Sequence, residues 1–251
     1  MSDSPVFDAY SHYYDLLYQD KDYEGEVEYI DSLLKKHKIS GNDLLEFGSG
    51  TGKHGRLLAE KGYNIIGIEL SDSMVQKAQK TDGFTCQQGD IRTISLGRSF
   101  DTVLALFHVV SYQTTNADIQ AMFQRAAEHL QVGGLFVFDV WYSSAVYNLK
   151  PETRVKRMTN DKVEVIRIAE PNILPNENKV DVNYTVLVKD KLNSENHTFS
   201  ETHFMRHFSI PEMEHFAEIN NLQVMKIEEY LTGNSPSEKT WGVCFVLRKI
   251  V

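Results

Sequence analysis

Hydrophobic and polar positions follow two successive patterns along the chain, and each pattern predicts a different kind of sheet. Up to about residue 141, short apolar runs are separated by helical repeats, which predicts alternating strands and helices. Such alternation is typical of a parallel sheet with helices on both faces. The predicted strands cover residues 43–48, 63–69, 84–88, 101–106 and 134–140, and the predicted helices cover 7–18, 23–38, 53–62, 72–80 and 116–131.

The pattern changes after Trp141 to apolar–polar alternation with a period of two. VEVIRIAE and VDVNYTVLV show this alternation most clearly, and prolines and asparagines between the runs supply turns. Four such runs predict an inserted antiparallel sheet, after which the chain returns to the main sheet. The predicted inserted strands cover 153–158, 162–170, 179–190 and 197–208, and helix 211–220 and strands 222–230 and 241–249 follow them.

The stretch 44–55, LLEFGSGTGKHG, predicts a strand, a glycine turn and the start of a helix. The acid Glu46 is followed by Gly48, Gly50 and Gly52, and glycine permits the positive φ angles and close backbone approach that such a turn requires. The following helix directs its free N–H groups and positive dipole end to the same point. The stretch therefore predicts a backbone cradle for a ligand.

Three ligand classes use turns of this kind. A P-loop needs GxxxxGK[ST], but Phe47 stands at the first glycine position and His54 replaces the Ser or Thr, which excludes a P-loop. The dinucleotide pattern GxGxxG is matched from Gly50 onward, and this match alone does not exclude NAD. The form ExGxGxG, which begins at Glu46, resembles the first motif of the class I S-adenosylmethionine (SAM) methyltransferases.

Two later segments resemble the same family. NIIGIEL ends with an acid, Glu69, where the family has the carboxylate that accepts both ribose hydroxyls of SAM. In CQQGDI, Asp90 corresponds to the residue that accepts the adenine amino group. Singly, Glu69 could be a capping acid and Asp90 a turn residue, but their order and spacing favour a cofactor site. The resemblance implies a SAM site built from Glu46, Gly48, Gly50, Gly52, Glu69, Leu70, Met74, Asp90, Ile91 and Leu106. We add Tyr14 and Tyr23 from the aromatic N-terminal segment, because either hydroxyl could donate to the cofactor carboxylate.

The resemblance also implies a fold and a division of the chain into three regions. We predict an α/β fold with a Rossmann-like class I methyltransferase sheet, mostly parallel with an antiparallel last strand, and an inserted antiparallel β-sheet. Residues 1–150 would contain N-terminal lid helices and the SAM-binding core. Residues 151–208 would form the insertion on the acceptor side, and residues 209–251 a helix and hairpin that complete the core sheet.

The acceptor should lie at the carboxyl ends of the strands, as ligands of open parallel sheets do. His108 and Tyr112, in the loop after the fourth strand, could orient or deprotonate the acceptor, and Asp139 could hold a base. Packing beneath the loop or a strand-end acid is the structural alternative for these residues. His203 joins the predicted catalytic set from the insertion. A metal site of Glu201, His203 and His207 lacks a tight ligand pair such as HExxH, and we predict no metal.

Within the family, the chain resembles the aminosugar N,N-dimethyltransferases of nucleotide-deoxysugar biosynthesis and related methyltransferases encoded among glycan genes. In that subfamily the insertion forms the sugar-nucleotide floor, a residue matching Tyr112 lies by the amino group, and a histidine like His203 is present. His108 and the stretch 139–142 depart from the subfamily pattern, both on the acceptor side. The shared stretches are YDLLYQDKDY (14–23), IELSDSM (68–74), QGDIRTISLGRSFDTV (88–103) and HLQVGGLFVFDVWY (129–142).

The composition of the chain limits the classes of partner that we expect it to bind. The net charge of −9 and the absence of a basic run argue against nucleic acid and against an anionic membrane surface. The N-terminus lacks the pattern of a signal peptide, so we expect a cytoplasmic protein. The sequence leaves its oligomeric state open, and a homodimer is one option. The predicted activity is SAM-dependent methyl transfer to a small polar acceptor, best the amine of a nucleotide-linked aminosugar. O-methylation of a sugar or small metabolite is the alternative, and an NAD-dependent oxidoreductase or a non-catalytic SAM-binding protein is more remote.

Overall fold

The computed structural model describes residues 8–193 and 195–251, which form seven α-helices, one short 3-10 helix and eleven strands. The core elements are α1 (Asp8–Leu17), α2 (Tyr23–Lys36), β1 (Asp43–Phe47), α3 (Lys53–Glu60), β2 (Asn64–Glu69), α4 (Asp72–Lys77), β3 (Phe84–Gln88), β4 (Phe100–Ala105), the 3-10 helix Val109–Tyr112, α5 (Asn116–His129), β5 (Leu130–Tyr142) and α6 (Ser143–Leu149). The rest are β6 (Arg154–Thr159), β7 (Val163–Leu174), β8 (Lys179–Asp190), β9 (Asn196–Phe208), α7 (Ile210–Ile219), β10 (Leu222–Glu229) and β11 (Gly242–Lys249).

The core sheet has the strand order β3-β2-β1-β4-β5-β11-β10. The first five strands are parallel, β11 runs antiparallel to β5, and β10 runs antiparallel to β11. This arrangement confirms the predicted α/β class. The strand order reverses between β1 and β4, and the carboxyl ends of these strands open the crevice in which α/β sheets bind ligands.

Phenylalanine rings pack one face of the core sheet against α5. Phe136 and Phe138 are fully buried on β5, and Phe123 of α5 lies 5.4 Å from each of their ring centroids. Phe245 of β11 stacks on Phe138 at 5.2 Å. Truncating such a ring to alanine costs about 3–5 kcal/mol, so this layer rigidly sets the position of β5 and of the site at its carboxyl end.

The insertion is an antiparallel meander of β6, β7, β8 and β9, which confirms the inserted sheet. It joins the core where the last two residues of β5, Trp141 and Tyr142, pair in parallel with the end of β9. One face of the insertion packs on α1, where Leu17 meets Val165 and Val186. The helix α1 therefore lies against the insertion, over the crevice of the core sheet.

The element bounds differ from the prediction at a few places. β5 begins at Leu130 and ends at Tyr142, because its ends gain pairing partners in β4 and β9 that apolar periodicity does not reveal. The short helix at 109–112 lies in the predicted loop after the fourth strand, and the helix at 143–149 lies in a stretch for which we predicted no element. Residue 7 of the first predicted helix lies outside the described residues. No helix in the described ranges is long and apolar enough to cross a bilayer.

Candidate cofactor and acceptor site

A cleft of about 1060 Å³ opens at the carboxyl ends of the core strands and continues to the inserted sheet. Its volume exceeds that of a typical site for one small ligand, so it has room for a cofactor and an acceptor together. One half is lined by the glycine turn and the ends of β2 and β3. The other half is lined by the loop after β4, the end of β5 and the inserted strands.

The glycine turn presents its backbone to the cleft. Gly50 has a φ of +56°, and a Cβ there would meet no described atom within 4 Å, so this position is open toward the cleft. A Cβ at Gly52, where φ is +75°, would lie 2.4 Å from the ring of Phe84. Gly50 therefore serves the ligand side of the turn, whereas Gly52 serves the packing beneath it.

Glu69 ends β2 with its carboxylate held by backbone donors. Oε2 accepts the N–H of Gly50 at 2.9 Å, and Oε1 accepts the N–H of Ser71 at 2.9 Å. Burial raises the pKa of Glu69, and these N–H donors oppose that rise. Each carboxylate oxygen keeps a further lone pair, so Glu69 can accept two hydroxyl groups side by side.

The next part of the cleft is apolar on two sides and ends at an acid. Leu70, Met74 and Ile91 line it, which suits a flat aromatic ring. Asp90 is already contacted by Arg92, whose Nε and Nη2 donate to its oxygens at 2.9 and 2.6 Å. These hydrogen bonds lower the pKa of Asp90. The sequence reasoning missed Arg92, although its position two residues after Asp90 was a readable signal.

A buried polar network lies behind the glycine turn. Burial and the charge of Glu69 raise the pKa of Glu46 to about 8. Nδ1 of His54 lies 3.9 Å from Oε1 of Glu46, and its Nε2 lies 2.6 Å from Oε2 of Glu26. Lys21, from the segment between α1 and α2, pairs with the same carboxylate of Glu26. Nothing in the local sequence pattern predicted that these four residues meet.

Helix α1 and the segment after it cover the cleft. Asp15 accepts a hydrogen bond from Oγ1 of Thr51 at 2.9 Å and lies 3.3 Å from Nζ of Lys53, so α1 rests on the glycine turn. Nζ of Lys21 lies 4.3 Å from the ring centroid of Tyr23 and 4.5 Å from that of Phe107, within cation–π range. Helix α1 and the segment after it therefore contact both halves of the cleft.

His108 lies in the acceptor half, against a fully buried acid. Its Nδ1 is 2.5 Å from Oδ2 of Asp139, and its backbone N–H lies 3.2 Å from both carboxylate oxygens. Phe107 and His108 adopt left-handed φ angles of 61° and 63°. Non-glycine residues adopt this conformation at a cost, and such positions concentrate at functional sites.

Tyr112 ends the 3-10 helix that follows His108, and the insertion holds its hydroxyl group. Its hydroxyl lies 2.8 Å from Nδ1 of His203, and Nε2 of His203 lies 3.3 Å from Oε1 of Glu201. His203 is 2% exposed and stacks edge-on against Tyr184 at 4.6 Å, so it lies behind the cleft wall. His203 can therefore act on a ligand through Tyr112 and not by direct contact.

Aromatic and basic side chains complete the acceptor half. Tyr18, Trp141, Tyr184 and Trp241 line it together with Arg154 and Arg167. Trp241 lies immediately before β11, and its ring centroid is 6.5 Å from that of Trp141 of β5. The antiparallel pairing of β5 with β11 brings these two tryptophans together. The predicted pairing of these strands could have identified Trp241 as a cleft residue, but the sequence analysis did not include it.

The structure brings most of the predicted residues to one cleft. Tyr14, Tyr23, Gly48, Gly50, Glu69, Leu70, Met74, Asp90, Ile91, Leu106, His108 and Tyr112 line it. Glu46, Gly52 and His203 lie behind its walls. The Glu201, His203 and His207 set does not assemble, since His207 contacts Ser143 at 2.8 Å. Across residues 8–193 and 195–251, no three His, Cys, Asp or Glu side chains form a group that could hold a metal ion.

Comparisons with known proteins agree with this geometry. A methyltransferase domain family matches residues 44–134. The chain is 31% identical to dTDP-3-amino-3,4,6-trideoxy-alpha-D-glucopyranose N,N-dimethyltransferase of Streptomyces venezuelae, over 88% of this chain and 91% of the relative. The crystal structure of Streptomyces venezuelae DesVI has a TM-score of 0.80 and 26% identity, over 95% of this chain and 98% of that chain. The sugar N-methyltransferase KedS8 from Streptoalloteichus sp. ATCC 53650 has the same fold, with a TM-score of 0.84 and 21% identity, over 100% and 96% of the two chains.

The strand order, the glycine turn and the acid after β2 together define a Rossmann-like fold that binds a nucleoside cofactor. The chain belongs to the class I SAM-dependent methyltransferases. The residues of the cleft fit SAM, because Gly50 leaves open space beside Glu69, whose carboxylate can accept two hydroxyl groups.

Proposed function

We propose that the protein methylates the amine of a nucleotide-linked aminosugar. The observation that carries the proposal is the continuity of the cleft, which joins Glu69 on the cofactor side to Tyr112 and the inserted sheet on the acceptor side. The aminosugar N,N-dimethyltransferase that matches nearly the whole chain supports the same substrate class. A nucleotide-sugar acceptor also suits the predicted cytoplasmic location.

In the cofactor half of the cleft, each predicted SAM residue would have its own role. When bound, SAM supplies an electrophilic methyl group on a sulfonium. Glu69 would accept the two ribose hydroxyls, and Asp90 with the Ile91 N–H would hold the adenine edge. The remaining residues would surround the cofactor or support its cradle: Leu70 and Met74 at the adenine faces, Gly48, Gly50 and Leu106 along the ribose and methionine parts, Tyr14 and Tyr23 at the carboxylate, and Glu46 and Gly52 behind the turn.

The acceptor half orients an amine. A nitrogen nucleophile must be uncharged and must point its lone pair at the methyl carbon, and correct orientation can contribute about 7–11 kcal/mol to the barrier reduction. With Nδ1 of His203 accepting the Tyr112 proton, the phenolic oxygen keeps lone pairs that can accept an N–H of the substrate. Tyr112 would then direct the nitrogen, and His203 would hold Tyr112.

The aromatic and basic residues suit the rest of such an acceptor. Trp141, Trp241 and Tyr184 offer flat apolar faces to a deoxysugar or a base. Arg154 and Arg167 line the same half, and arginine is well suited to pair with phosphate oxygens. The overall net charge of −9 makes these local cations necessary for a diphosphate group.

Incubation of the protein with SAM and dTDP-linked amino-deoxyhexoses, followed by mass spectrometry, tests the proposal. We expect products heavier by one or two methyl groups. Binding of S-adenosylhomocysteine without any methylated aminosugar would overturn the acceptor assignment and leave the cofactor assignment intact.

O-methylation is a second candidate, because His108 and Asp139 form an arrangement that could deprotonate a hydroxyl. The matched experiment uses the same nucleotide sugar with a hydroxyl in place of the amine. Methylation of the hydroxyl sugar, with no reaction of the aminosugar, would favour this candidate.

A further inference from the structure

We infer that His108, held by Asp139, removes the proton from the acceptor nitrogen after a first methyl transfer, and so prepares that nitrogen for a second transfer. This inference rests on the proposed aminosugar function and deepens it, because it assigns sequential methylation to one pair of residues.

The chemistry creates the need for such a base. A neutral primary amine uses its lone pair to form the new N–CH3 bond and so becomes a secondary ammonium ion, which keeps both N–H bonds and has no lone pair. A second methylation on the same nitrogen requires that one of these protons leave first, because its departure restores a lone pair. The first acceptor can lose its proton in solvent before it binds, but the monomethylated product forms inside the cleft as the charged species.

The geometry provides a group that can take the proton. Nδ1 of His108 is buried and lies 2.5 Å from Oδ2 of Asp139, which leaves Nε2 as the nitrogen available to the cleft. Asp139 is fully buried, and its negative charge stabilises the imidazolium that forms when Nε2 accepts a proton. The His108 side chain is 26% exposed, so the proton can pass on to solvent.

The backbone supports this arrangement at a conformational cost. Phe107 and His108 both hold left-handed φ angles, a conformation that residues other than glycine adopt only at a cost in backbone strain. This bend places the backbone N–H and the imidazole of His108 against the same carboxylate of Asp139.

The other ionisable groups near Asp139 leave its negative charge available to His108. The carboxylate also acts electrostatically on Lys21, His54, Tyr230 and Cys244. Burial raises the pKa of Tyr230 and of Cys244, and burial lowers the pKa of His54, so these three groups are uncharged at neutral pH. Burial lowers the pKa of Lys21, and its amino group is already paired with Glu26.

The test follows both methylated products with time by mass spectrometry, using a dTDP-linked primary aminosugar and excess SAM. We expect the wild-type protein to form dimethylated product with little free monomethylated intermediate. His108→Gln should accumulate the monomethylated sugar and slow the second transfer at least tenfold more than the first. Asp139→Asn should shift the product ratio in the same direction, and His215→Gln, an exposed site on α7, serves as control.

Two further readouts separate a base from a packing residue. Raising the pH should restore the second transfer in His108→Gln, because solvent then removes the ammonium proton, whereas the wild-type product ratio should change little. Calorimetry should show S-adenosylhomocysteine binding within about twofold of wild type in both variants. An unchanged product ratio in His108→Gln, or loss of both transfers to the same extent, would overturn the inference. If wild type methylates no aminosugar, the proposed function fails instead.

Discussion

The hydroxyl of Tyr112 lies 2.8 Å from Nδ1 of His203, which joins the acceptor loop of the core to the inserted sheet 91 residues later. Tyr112→Phe removes this contact and the proposed contact to the amine, while the ring still fills its place. We expect kcat to fall about 10- to 100-fold, which corresponds to one lost oriented hydrogen bond. Binding of S-adenosylhomocysteine, measured by calorimetry, should change less than threefold.

Tyr147→Phe is the matched control for this change, because the Tyr147 hydroxyl contacts Pro175 and Asn178 on the surface. The double variant Tyr112→Phe with His203→Gln should be about as slow as Tyr112→Phe alone, since His203 acts through Tyr112. Unchanged turnover in Tyr112→Phe would remove Tyr112 from the mechanism.

Glu69→Gln tests the cofactor half of the cleft. Glutamine matches the size of glutamate but offers one acceptor oxygen where the carboxylate offers two. Losing a charged hydrogen bond to a ribose hydroxyl should weaken S-adenosylhomocysteine binding about 10- to 100-fold by calorimetry. Glu60→Gln, at the exposed end of α3, should bind like wild type. Equal affinity in Glu69→Gln would show that Glu69 only caps the start of α4.

Local spacing in the sequence predicted that Glu69 and Asp90 lie in one cleft, because each follows a strand and the strands of a parallel sheet end at the same edge. The acceptor half was less predictable. The contact of Tyr112 with His203 depends on how the insertion docks on the core, where two residue pairs join β9 to β5 and α1 packs on β7 and β8. Periodicity describes each strand but not this docking. The network of Lys21 with Glu26 and His54 likewise depends on how α2 packs on the glycine turn.

Glu46 predicts a specific dependence of stability on pH. Burial raises its pKa in the folded protein to about 8, from an ordinary value of 4.5. The folded chain therefore binds this proton more tightly than the unfolded chain, and the resulting stability is complete below pH 4.5 and is lost as pH rises to about 8. Glu46→Gln has no such proton and should not lose this stability.

Thermal unfolding of both proteins between pH 5 and 9 measures the effect. The melting temperature of wild type should fall relative to Glu46→Gln across this range by several degrees, since 1 kcal/mol shifts Tm by about 2–4 °C in a chain of this size. Burial lowers the pKa of His54, whose titration has the opposite sign but is present in both proteins. A constant difference in Tm would show that Glu46 titrates at an ordinary pH.

Gly50 and Gly52 belong to one turn, yet alanine should affect them in different ways. Both have positive φ, so each substitution costs about 1–2 kcal/mol of backbone strain. At Gly52 the new methyl group would also lie 2.4 Å from the buried ring of Phe84, so Gly52→Ala should lower Tm by clearly more than Gly50→Ala. At Gly50 the methyl group would enter open space beside Glu69, so Gly50→Ala should stay folded but bind S-adenosylhomocysteine at least tenfold more weakly. Thermal unfolding and calorimetry on the two variants measure both effects, and equal losses of stability and affinity would contradict the division of this turn into a packing side and a ligand side.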